Sequence, residues 1–387
     1  MYAQTQTHEF SGGDAMSTNR LSQVQQAMQA EGLDALFVAN PKNVQYLAGF
    51  KTTMPGEVQH FGDPEGYAVI YKGECHLLCD GRYISGVRKL SGITPQLITS
   101  PTTARTFADK IREIIGSGRK TVGFERGAVL YGDAVALLEF SPDIDWKPAD
   151  DILTTLRVIK TADEVELIRK AQAITGQCFD HMKTFIKPGM TEKQVGVEIE
   201  TYLRSNSDGN SFAPIVGFGE TACNPHYTPS PTRKLEKNQM VLLDFGGIYE
   251  GYCGDMTRML FFGKADDRYR EVYDLVLTAQ KNCVAAVKPG AVCQDLDAVC
   301  RDYFKSKNCA DAFMHGTGHG VGLAIHEDPR LKPTFRNPVA PGMVFSVEPG
   351  LYYAGWGGIR IEDLVAVTPT GCENLTTTPK DLIEIPV

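Results

Sequence analysis

The chain has 387 residues, of which 42% are hydrophobic and 22% are charged, and this is the composition of an ordinary globular protein. Its formal net charge of −8 argues against nucleic acid or an anionic membrane surface as the main partner. No uninterrupted apolar run approaches the roughly 18 residues that a membrane-spanning helix needs. The length favours two domains. We therefore expect a cytoplasmic protein of two domains that binds neither nucleic acid nor membranes.

The N-terminal stretch "MYAQTQTHEFSGGDAMSTNR" is polar and lacks the apolar core of a secretory signal. We predict a disordered arm over residues 1–19. The ten cysteines are scattered, and no pair has the C-x-x-C spacing of a zinc ribbon or a thioredoxin-like site. Reduced thiols are the expected state in such a chain.

Residues 20–155 alternate between helix-like and strand-like segments. "RLSQVQQAMQAEG" and "GDAVALLEF" have helical periodicity, whereas "LDALFVAN" and "TVGFE" are typical of short strands, and "YAVIYKGECHLLCD" resembles a hairpin. This alternation predicts an α/β domain. Because the segment holds no dense cluster of titratable groups, we expect it to act as a scaffold or a lid.

A helix is predicted to start at Thr161, where acidic residues follow in the first turn, and to continue to Lys187. We place the second domain at residues 156–387. It contains an internal echo, because "KPGMTEKQVGVEIETYLRS" (187–205) recurs as "KPGAVCQDLDAVCRDYFKS" (288–306) with apolar residues at matching positions. The echo indicates a duplicated half-unit, whose two halves would place a site at their junction.

The segment "HGTGHGVGLAIHEDPR" contains His315, His319 and His326 among four alternating glycines. Each glycine would cost about 1 kcal/mol in a helix interior, so a helical pair of zinc ligands is disfavoured. The segment also lacks the lysine ending of a phosphate-binding loop. A strand or loop remains, in which bare backbone lets other groups approach closely. One histidine in such a loop is usually structural, but three together favour a site.

Four acidic residues lie at the ends of apolar strand-like runs in distant parts of the sequence: Asp244, Asp255, Glu348 and Glu362. The first two belong to a predicted hairpin over residues 238–262. A buried carboxylate is costly unless it is paired or binds metal. Four carboxylates and one imidazole can hold two divalent cations with a bridging hydroxide. This oxygen-rich set suits Mn²⁺ best, with Co²⁺ or Zn²⁺ able to substitute.

The order Asp, Asp, His, Glu, Glu in "LLDFGGIYEGYCGDMTR", "HGTGHGVGL", "SVEPGLY" and "GIRIEDLV" resembles the pita-bread metallopeptidases, most closely the branch of aminopeptidase P and prolidase. "GLDALFVANPKNVQYLAGF" is similar to the N-terminal domain of that branch. The resemblance implies an α/β (α+β) fold, with a creatinase-like N-terminal α/β domain followed by a pseudo-twofold pita-bread catalytic domain.

The metal ligands that the resemblance implies are Asp244, Asp255, His319, Glu348 and Glu362. Asp244 would chelate one metal, Asp255 and Glu362 would bridge both, and His319 and Glu348 would complete the other. Glu348 would also take the proton of the attacking water. No ligand of the family's set is missing, which disfavours relatives that lack it.

The resemblance also implies residues that face the substrate. His226, in "CNPHYTPSPT", and His326 match two catalytic histidines on the substrate side of the centre. His315 matches a third histidine in the pocket. Arg330 matches an arginine that reads the proline carboxylate in some members, and Arg360 matches an arginine at the rear of the metal ligands.

The implied activity is hydrolysis of the peptide bond preceding proline by a bridging hydroxide, with small proline-containing peptides as partners. An Xaa-Pro dipeptidase is slightly favoured over an Xaa-Pro aminopeptidase that acts on longer peptides. An alternative from another class is a catalytically inactive binding or chaperone module on the same fold. Relatives of this kind are commonly dimers, so we expect a homodimer.

Overall fold

A computed structural model describes residues 13–52, 58–99 and 101–386. The chain forms two compact units that divide between Arg157 and Val158. Across the described ranges, we find no helix with the length and apolar character required to cross a bilayer. The first helix begins at Gly13 and occupies the later part of the predicted disordered arm, because no glycine or proline interrupts the chain before Gly32. Residues 1–12 of that arm lie outside the described ranges.

The first unit contains one six-stranded mixed sheet flanked by helices. Its helices are α1 (Gly13–Ala30), α2 (Pro41–Ala48), α3 (Ile84–Val87), α4 (Ala104–Ile115), α5 (Tyr131–Phe140) and α6 (Asp151–Val158), the last of which reaches the division. Its strands are β1 (Ala35–Val38), β2 (Tyr67–Tyr71), β3 (Glu74–Cys79), β4 (Ile93–Leu97), β5 (Lys120–Phe124) and β6 (Ile144–Pro148).

These strands lie in the order β4-β3-β2-β1-β5-β6. The predicted hairpin is the antiparallel pair β2 and β3, and β1 pairs in parallel with β5. The core includes stacked rings, with Phe37 against Tyr67 and Phe61 against Phe107. The segments that the sequence assigned to helices and strands in this unit are therefore confirmed, as is its α/β class.

The described part of the second unit holds four long helices and four sheets, of which the two larger have four and five strands. The helices are α7 (Ala162–Phe185), α8 (Glu192–Asn206), α9 (Asp267–Ala286) and α10 (Cys293–Ser306). The strands are β7 (Gly209–Asn210), β8 (Ile215–Phe218), β9 (Gln239–Phe245), β10 (Gly247–Tyr249), β11 (Tyr252–Cys253), β12 (Met256–Phe262), β13 (Gly318–Gly320), β14 (Glu327–Leu331), β15 (Val344–Val347), β16 (Gly350–Tyr353), β17 (Gly357–Arg360), β18 (Asp363–Val367), β19 (Cys372–Asn374) and β20 (Glu384–Ile385).

The larger sheets of this unit have the orders β20-β12-β9-β8 and β14-β13-β15-β18-β19. Helices α7 and α8 pack their apolar faces against the first of these sheets. Helices α9 and α10 contribute to the core that includes the second. Helix α7 begins after Thr161, as the sequence predicted, and the side chains of Thr161 and Glu164 form a capping box there. The helix ends at Phe185, two residues before the predicted end at Lys187.

The two halves of this unit repeat the same local backbone pattern. The Gly189 amide, before α8, donates to the Leu235 carbonyl at 2.8 Å, and the Gly290 amide, before α10, donates to the Val339 carbonyl at 2.9 Å. In each half the bonded carbonyl precedes a central strand, β9 or β15. The repeated helix pair, bond and strand confirm the pseudo-twofold fold that the internal echo indicated.

Candidate metal centre

Five predicted ligands converge from both halves of the second unit. Asp244 is in β9, and His319 is in β13. Glu348 immediately follows β15, and Glu362 lies between β17 and β18. Asp255 was predicted within the second strand of the hairpin, but it lies one residue before β12, because the turn contains the separate short strands β10 and β11. Residues within strands or directly beside them thus bring all five side chains to one place.

Three of these side chains are arranged as a metal-binding group. Ligand atoms of Asp255, His319 and Glu362 all lie within 4.8 Å of one another. The Nε2 atom of His319 is 3.6 Å from Oδ2 of Asp255 and 3.2 Å from Oε1 of Glu348. An imidazole nitrogen surrounded by carboxylate oxygens at these distances can share a cation with them.

Two carboxylate oxygens in the cluster are buried without a hydrogen-bond partner among the described residues. They are Oδ1 of Asp244 and Oε1 of Glu362. The other oxygen of each group is bonded, since Arg360 donates to Oδ2 of Asp244 at 2.5 Å and Thr257 donates to Oε2 of Glu362 at 2.7 Å. An unsatisfied buried carboxylate oxygen is costly, and a divalent cation would satisfy it. The residues present therefore fit a metal.

The electrostatics of the cluster point the same way. Burial raises the pKa of Asp255 and Glu362 well above the usual range, and the neighbouring carboxylates raise it further. Burial also raises the pKa of Asp244. Burial disfavours the ionised form of Glu348, but the hydrogen bond and the charge of His319 outweigh it and lower the pKa of Glu348 to about 2. A cation would relieve the repulsion among these acids.

Arg360 begins a hydrogen-bonded chain that ends at His315. Its Nη1 donates to the Tyr352 hydroxyl at 2.7 Å, and that hydroxyl is 2.8 Å from Nε2 of His315. The other ring nitrogen of His315 lies 2.7 Å from the Gly316 carbonyl, to which it must donate, so Nε2 accepts from the tyrosine. Burial lowers the pKa of His315, which favours this neutral form. Both nitrogens of His315 are thus engaged within the protein.

A cavity of about 620 Å³ lies above the cluster. All ten predicted site residues line it, namely the five ligands with His226, His315, His326, Arg330 and Arg360. Its walls also include the apolar residues Phe212, Pro214, Ile215, Pro225 and Ile325, together with Lys332. The cavity therefore combines an acidic floor with cationic and apolar walls.

The remaining predicted residues have distinct surroundings. The His326 ring packs edge-on against His319 with centroids 4.4 Å apart. Burial lowers the pKa of His326 to about 4, and the positive charges of His319 and Arg330 lower it too. His226 is exposed at the cavity, and its amide donates to the Asn224 side chain. Nε of Arg330 is 3.7 Å from a carboxylate oxygen of Asp328.

Sequence reasoning missed several residues that orient the ligands. Gln172, in α7, donates to the Asp255 carbonyl at 2.8 Å and accepts from the Asp255 amide at 2.9 Å. The Ser346 hydroxyl donates to Glu348 at 3.0 Å and accepts from the His319 amide at 3.1 Å. The only signal in the sequence is a polar residue at a buried position, such as Ser346 within the apolar run of β15.

The glycines of the histidine segment allow the close approach that the sequence suggested. A Cβ atom at Gly318 would overlap the Ser346 carbonyl oxygen, and one at Gly320 would overlap the Asp328 carbonyl oxygen. Glycine at these positions therefore lets β13 lie against β15 on one side and β14 on the other. His319, between the two glycines, is held where these strands meet.

Comparison with known proteins agrees with this arrangement. Residues 166–369 match the metallopeptidase family M24, and residues 20–159 match the creatinase/prolidase N-terminal domain. An uncharacterized peptidase of Bacillus subtilis is 34% identical over 91% of this chain and 96% of its own length.

Solved structures give the same result. The chain is similar to the Xaa-Pro dipeptidase from Bacillus anthracis, with a TM-score of 0.87, 33% identity, and coverage of 95% of this chain and 99% of the other. It is also similar to the X-Pro aminopeptidase from Thermotoga maritima, with a TM-score of 0.83, 28% identity, and coverage of 93% and 100%. The chain belongs to metallopeptidase family M24 and carries a creatinase-type N-terminal domain, so the pita-bread architecture and the dependence of this family on divalent metal apply to it.

Proposed function

We propose that this protein hydrolyses the peptide bond preceding proline, with a preference for Xaa-Pro dipeptides. The observation that carries the proposal is the floor of the cavity, where Asp244 and Glu362 each offer an unsatisfied buried oxygen beside Asp255 and His319. The similarity to an Xaa-Pro dipeptidase and to an X-Pro aminopeptidase supports proline specificity.

Asp244, Asp255, His319, Glu348 and Glu362 would hold two divalent ions, most suitably Mn²⁺, with Co²⁺ or Zn²⁺ as substitutes. Bound metals supply Lewis acidity and lower the pKa of water towards neutrality. Four carboxylates offset the charge of two divalent ions.

Glu348 would accept the proton of the attacking water and pass it to the proline nitrogen that leaves. The carboxylate of Glu348 is ionised at neutral pH, as a proton acceptor must be. The Ser346 hydroxyl fixes one of its oxygens, which orients the carboxylate. The other oxygen, Oε2, is 4.0 Å from Nε of Arg360.

His226 and His326 would stabilise the oxyanion that forms from the carbonyl of the bond under attack. The lowered pKa of His326 makes it a neutral imidazole, which donates one hydrogen bond and does not add a charge beside the metal ligands. His315 would contribute differently from the sequence expectation. Because both ring nitrogens are already hydrogen-bonded, we propose that His315 supports Arg360 through Tyr352. It would contact substrate only through van der Waals packing.

Substrate length depends on the cationic wall. Arg330 would bind the carboxylate of a dipeptide, in a charge-assisted contact that a longer peptide places one residue further out. The second candidate, an Xaa-Pro aminopeptidase, is favoured by Lys332, which lines the same cavity and would offer a cation to a longer chain. The apolar residues Phe212 and Ile215 would pack against the proline ring.

The test is a peptide panel with the Mn²⁺-loaded protein, in which Xaa-Pro, Xaa-Pro-Yaa and matched Xaa-Ala peptides are compared by kcat/KM. We expect cleavage only before proline and fastest for dipeptides. Faster tripeptide cleavage would favour the aminopeptidase. If a fully metal-loaded protein cleaved no peptide, the alternative of a binding module on the same fold would be favoured.

Two finer properties belong to the same proposal. We expect a homodimer, which sedimentation equilibrium would test, and manganese as the bound metal, which elemental analysis of protein purified without added metal would test. All ten cysteines have free thiols, and this supports a reducing cytoplasmic location.

A further inference from the structure

A buried ion pair lies outside the cluster of acids, between two residues that are not among those lining the cavity. Nζ of Lys160 is 3.0 Å from Oε2 of Glu327, and the two side chains are only 2% and 8% exposed. These residues are 167 positions apart in the chain. The Lys160 amide also donates to the Gly342 carbonyl, which fixes the backbone that carries the lysine.

Glu327 holds the loop that precedes it. Its Oε1 accepts from the Ala324 amide at 2.9 Å, and its carboxylate lies so close to Gly322 that a Cβ atom there would be 2.6 Å from Oε2. The Gly322 carbonyl accepts from the Cys253 amide at 2.8 Å on the other side. The loop 321–326 is therefore clamped between a buried carboxylate and a neighbouring strand.

This loop delivers His326 to the cavity. The residue directly precedes Glu327, lines the cavity wall and packs against the ring of His319. The strand register shifts between His319 and Gly320, so ladder pairing alone does not fix the loop. The hydrogen bond that the Ala324 amide, two residues before His326, donates to the Glu327 carboxylate supplies the restraint that the ladder lacks.

Stability alone does not account for this pair. Taking both charges out of water opposes folding, and apolar residues of similar volume often replace a buried ion pair without loss of stability. We propose that Lys160 and Glu327 are positioning residues that fix the loop 321–326 and thereby aim His326 at the reacting carbonyl. The inference rests on the proposed function, since it assigns His326 a partner in that reaction.

The kinetic test compares Lys160→Met, Glu327→Gln and the double variant Lys160→Met/Glu327→Met in the Mn²⁺-loaded full chain. Each single variant removes one partner of a buried ion pair, so we expect both a lower Tm and a kcat for Xaa-Pro that falls by about 10–100-fold, as a small misplacement of a reacting group does. In the double variant both charges of the pair are gone. We expect its Tm to recover towards the wild-type value while kcat stays low.

A double-mutant cycle with His326 distinguishes the loss of positioning from general damage to the fold. On a His326→Ala background the double variant should cost no further activity, because the group that it positions is gone. Bound metal should remain at the wild-type level throughout. The matched control is Glu373→Gln, which removes an exposed ion pair to Arg169 in the same unit and should change neither kcat nor Tm by a measurable amount.

Hydrogen exchange gives a readout that does not depend on activity. Amides in 321–326 should exchange at least tenfold faster in the double variant than in the wild type, while those of α9 stay unchanged. A double variant that regains both Tm and kcat, an equal loss on the His326→Ala background, or unchanged exchange in the loop would overturn the positioning role. An inactive metal-loaded wild type would instead refute the proposed function, and the exchange experiment would still decide whether the pair fixes the loop.

Discussion

Arg360 holds one oxygen of Asp244 at 2.5 Å, while the other oxygen of the same carboxylate is buried and has no hydrogen-bond partner within the described ranges. Thr257 and Glu362 have the same relationship. Each acid is therefore oriented by one bond from the protein and left with one oxygen for a ligand. A carboxylate that served only structure would be expected to have both oxygens satisfied.

The first prediction concerns the proposed bridging ligands. Asp255→Asn and Glu362→Gln should each abolish Xaa-Pro hydrolysis with the fold retained, because a neutral amide cannot offset the charge of two close cations. Activity assays beside circular dichroism and metal analysis test this. Full activity in either variant would refute the assignment, and Glu373→Gln serves as a control that replaces an exposed carboxylate by the same chemistry.

The second prediction separates the histidines. His319→Ala should lower metal occupancy, since Nε2 of His319 lies among the carboxylates. His226→Ala and His326→Ala should retain metal but lower kcat by about 10²–10³-fold, as the loss of an oxyanion donor does. Elemental analysis and kinetics on the same samples decide the matter. Loss of metal in His326→Ala but not in His319→Ala would mean that their roles are exchanged.

The third prediction concerns substrate length. A charge-assisted bond from Arg330 to the dipeptide carboxylate would contribute about 1.5–3 kcal/mol. Arg330→Ala should then lower kcat/KM for Xaa-Pro by about 10–150-fold, since each 1.36 kcal/mol is a factor of ten, and leave Xaa-Pro-Yaa nearly unchanged. The matched control is Arg336→Ala, an exposed arginine that does not line the cavity. Equal small effects on both peptides would favour an arginine that only closes a loop.

The fourth prediction follows from the raised pKa values of Asp244, Asp255 and Glu362 in the metal-free cluster. An acid whose pKa is higher in the folded than in the unfolded state binds protons on folding, so metal-free stability falls as pH rises above the usual range of carboxylates. Metal competes with those protons. The increase in Tm caused by Mn²⁺ should therefore grow with pH.

The informative window for this experiment is about pH 7.5–8.5, at least one unit above the ordinary histidine pKa of about 6.5. Histidines that are buried with lowered pKa values are neutral there in the folded state and largely neutral in the unfolded state. They therefore contribute little to the change of stability with pH. Thermal unfolding with EDTA and with Mn²⁺ across that window measures the difference. A Tm increase that is constant or shrinks with pH would contradict the prediction.

The sequence allowed the fold class and the converging side chains to be predicted, because those features leave local signals. Acids at the ends of apolar runs, such as Asp244 and Glu348, and histidines among glycines are visible without a structure. The repeat at 187–205 and 288–306 is also visible in the amino-acid sequence. The position of Asp255 was missed by one residue, since the turn folds into its own small sheet.

Contacts between distant segments could not be predicted. The family resemblance implied that His315 faces substrate, but whether its ring nitrogens are free depends on Tyr352, which reaches it from another strand. Lys160 and Glu327 have no shared local pattern, and their pairing exists only because two distant segments are buried together. Such partners are set by tertiary packing rather than by spacing along the chain.

The repeated half-unit has a consequence for how this sequence can change over generations. Asp244 follows Leu235 by the same number of residues as Glu348 follows Val339. The two halves therefore have an acid at equivalent places. The helix starts have diverged instead. Thr191 caps α8 with its side chain, whereas Val292, its counterpart before α10, provides no such bond. Losing a cap costs about 1 kcal/mol, which a large core tolerates. The two copies therefore differ in how their helices start, while both carry an acid at the equivalent place of the central strand.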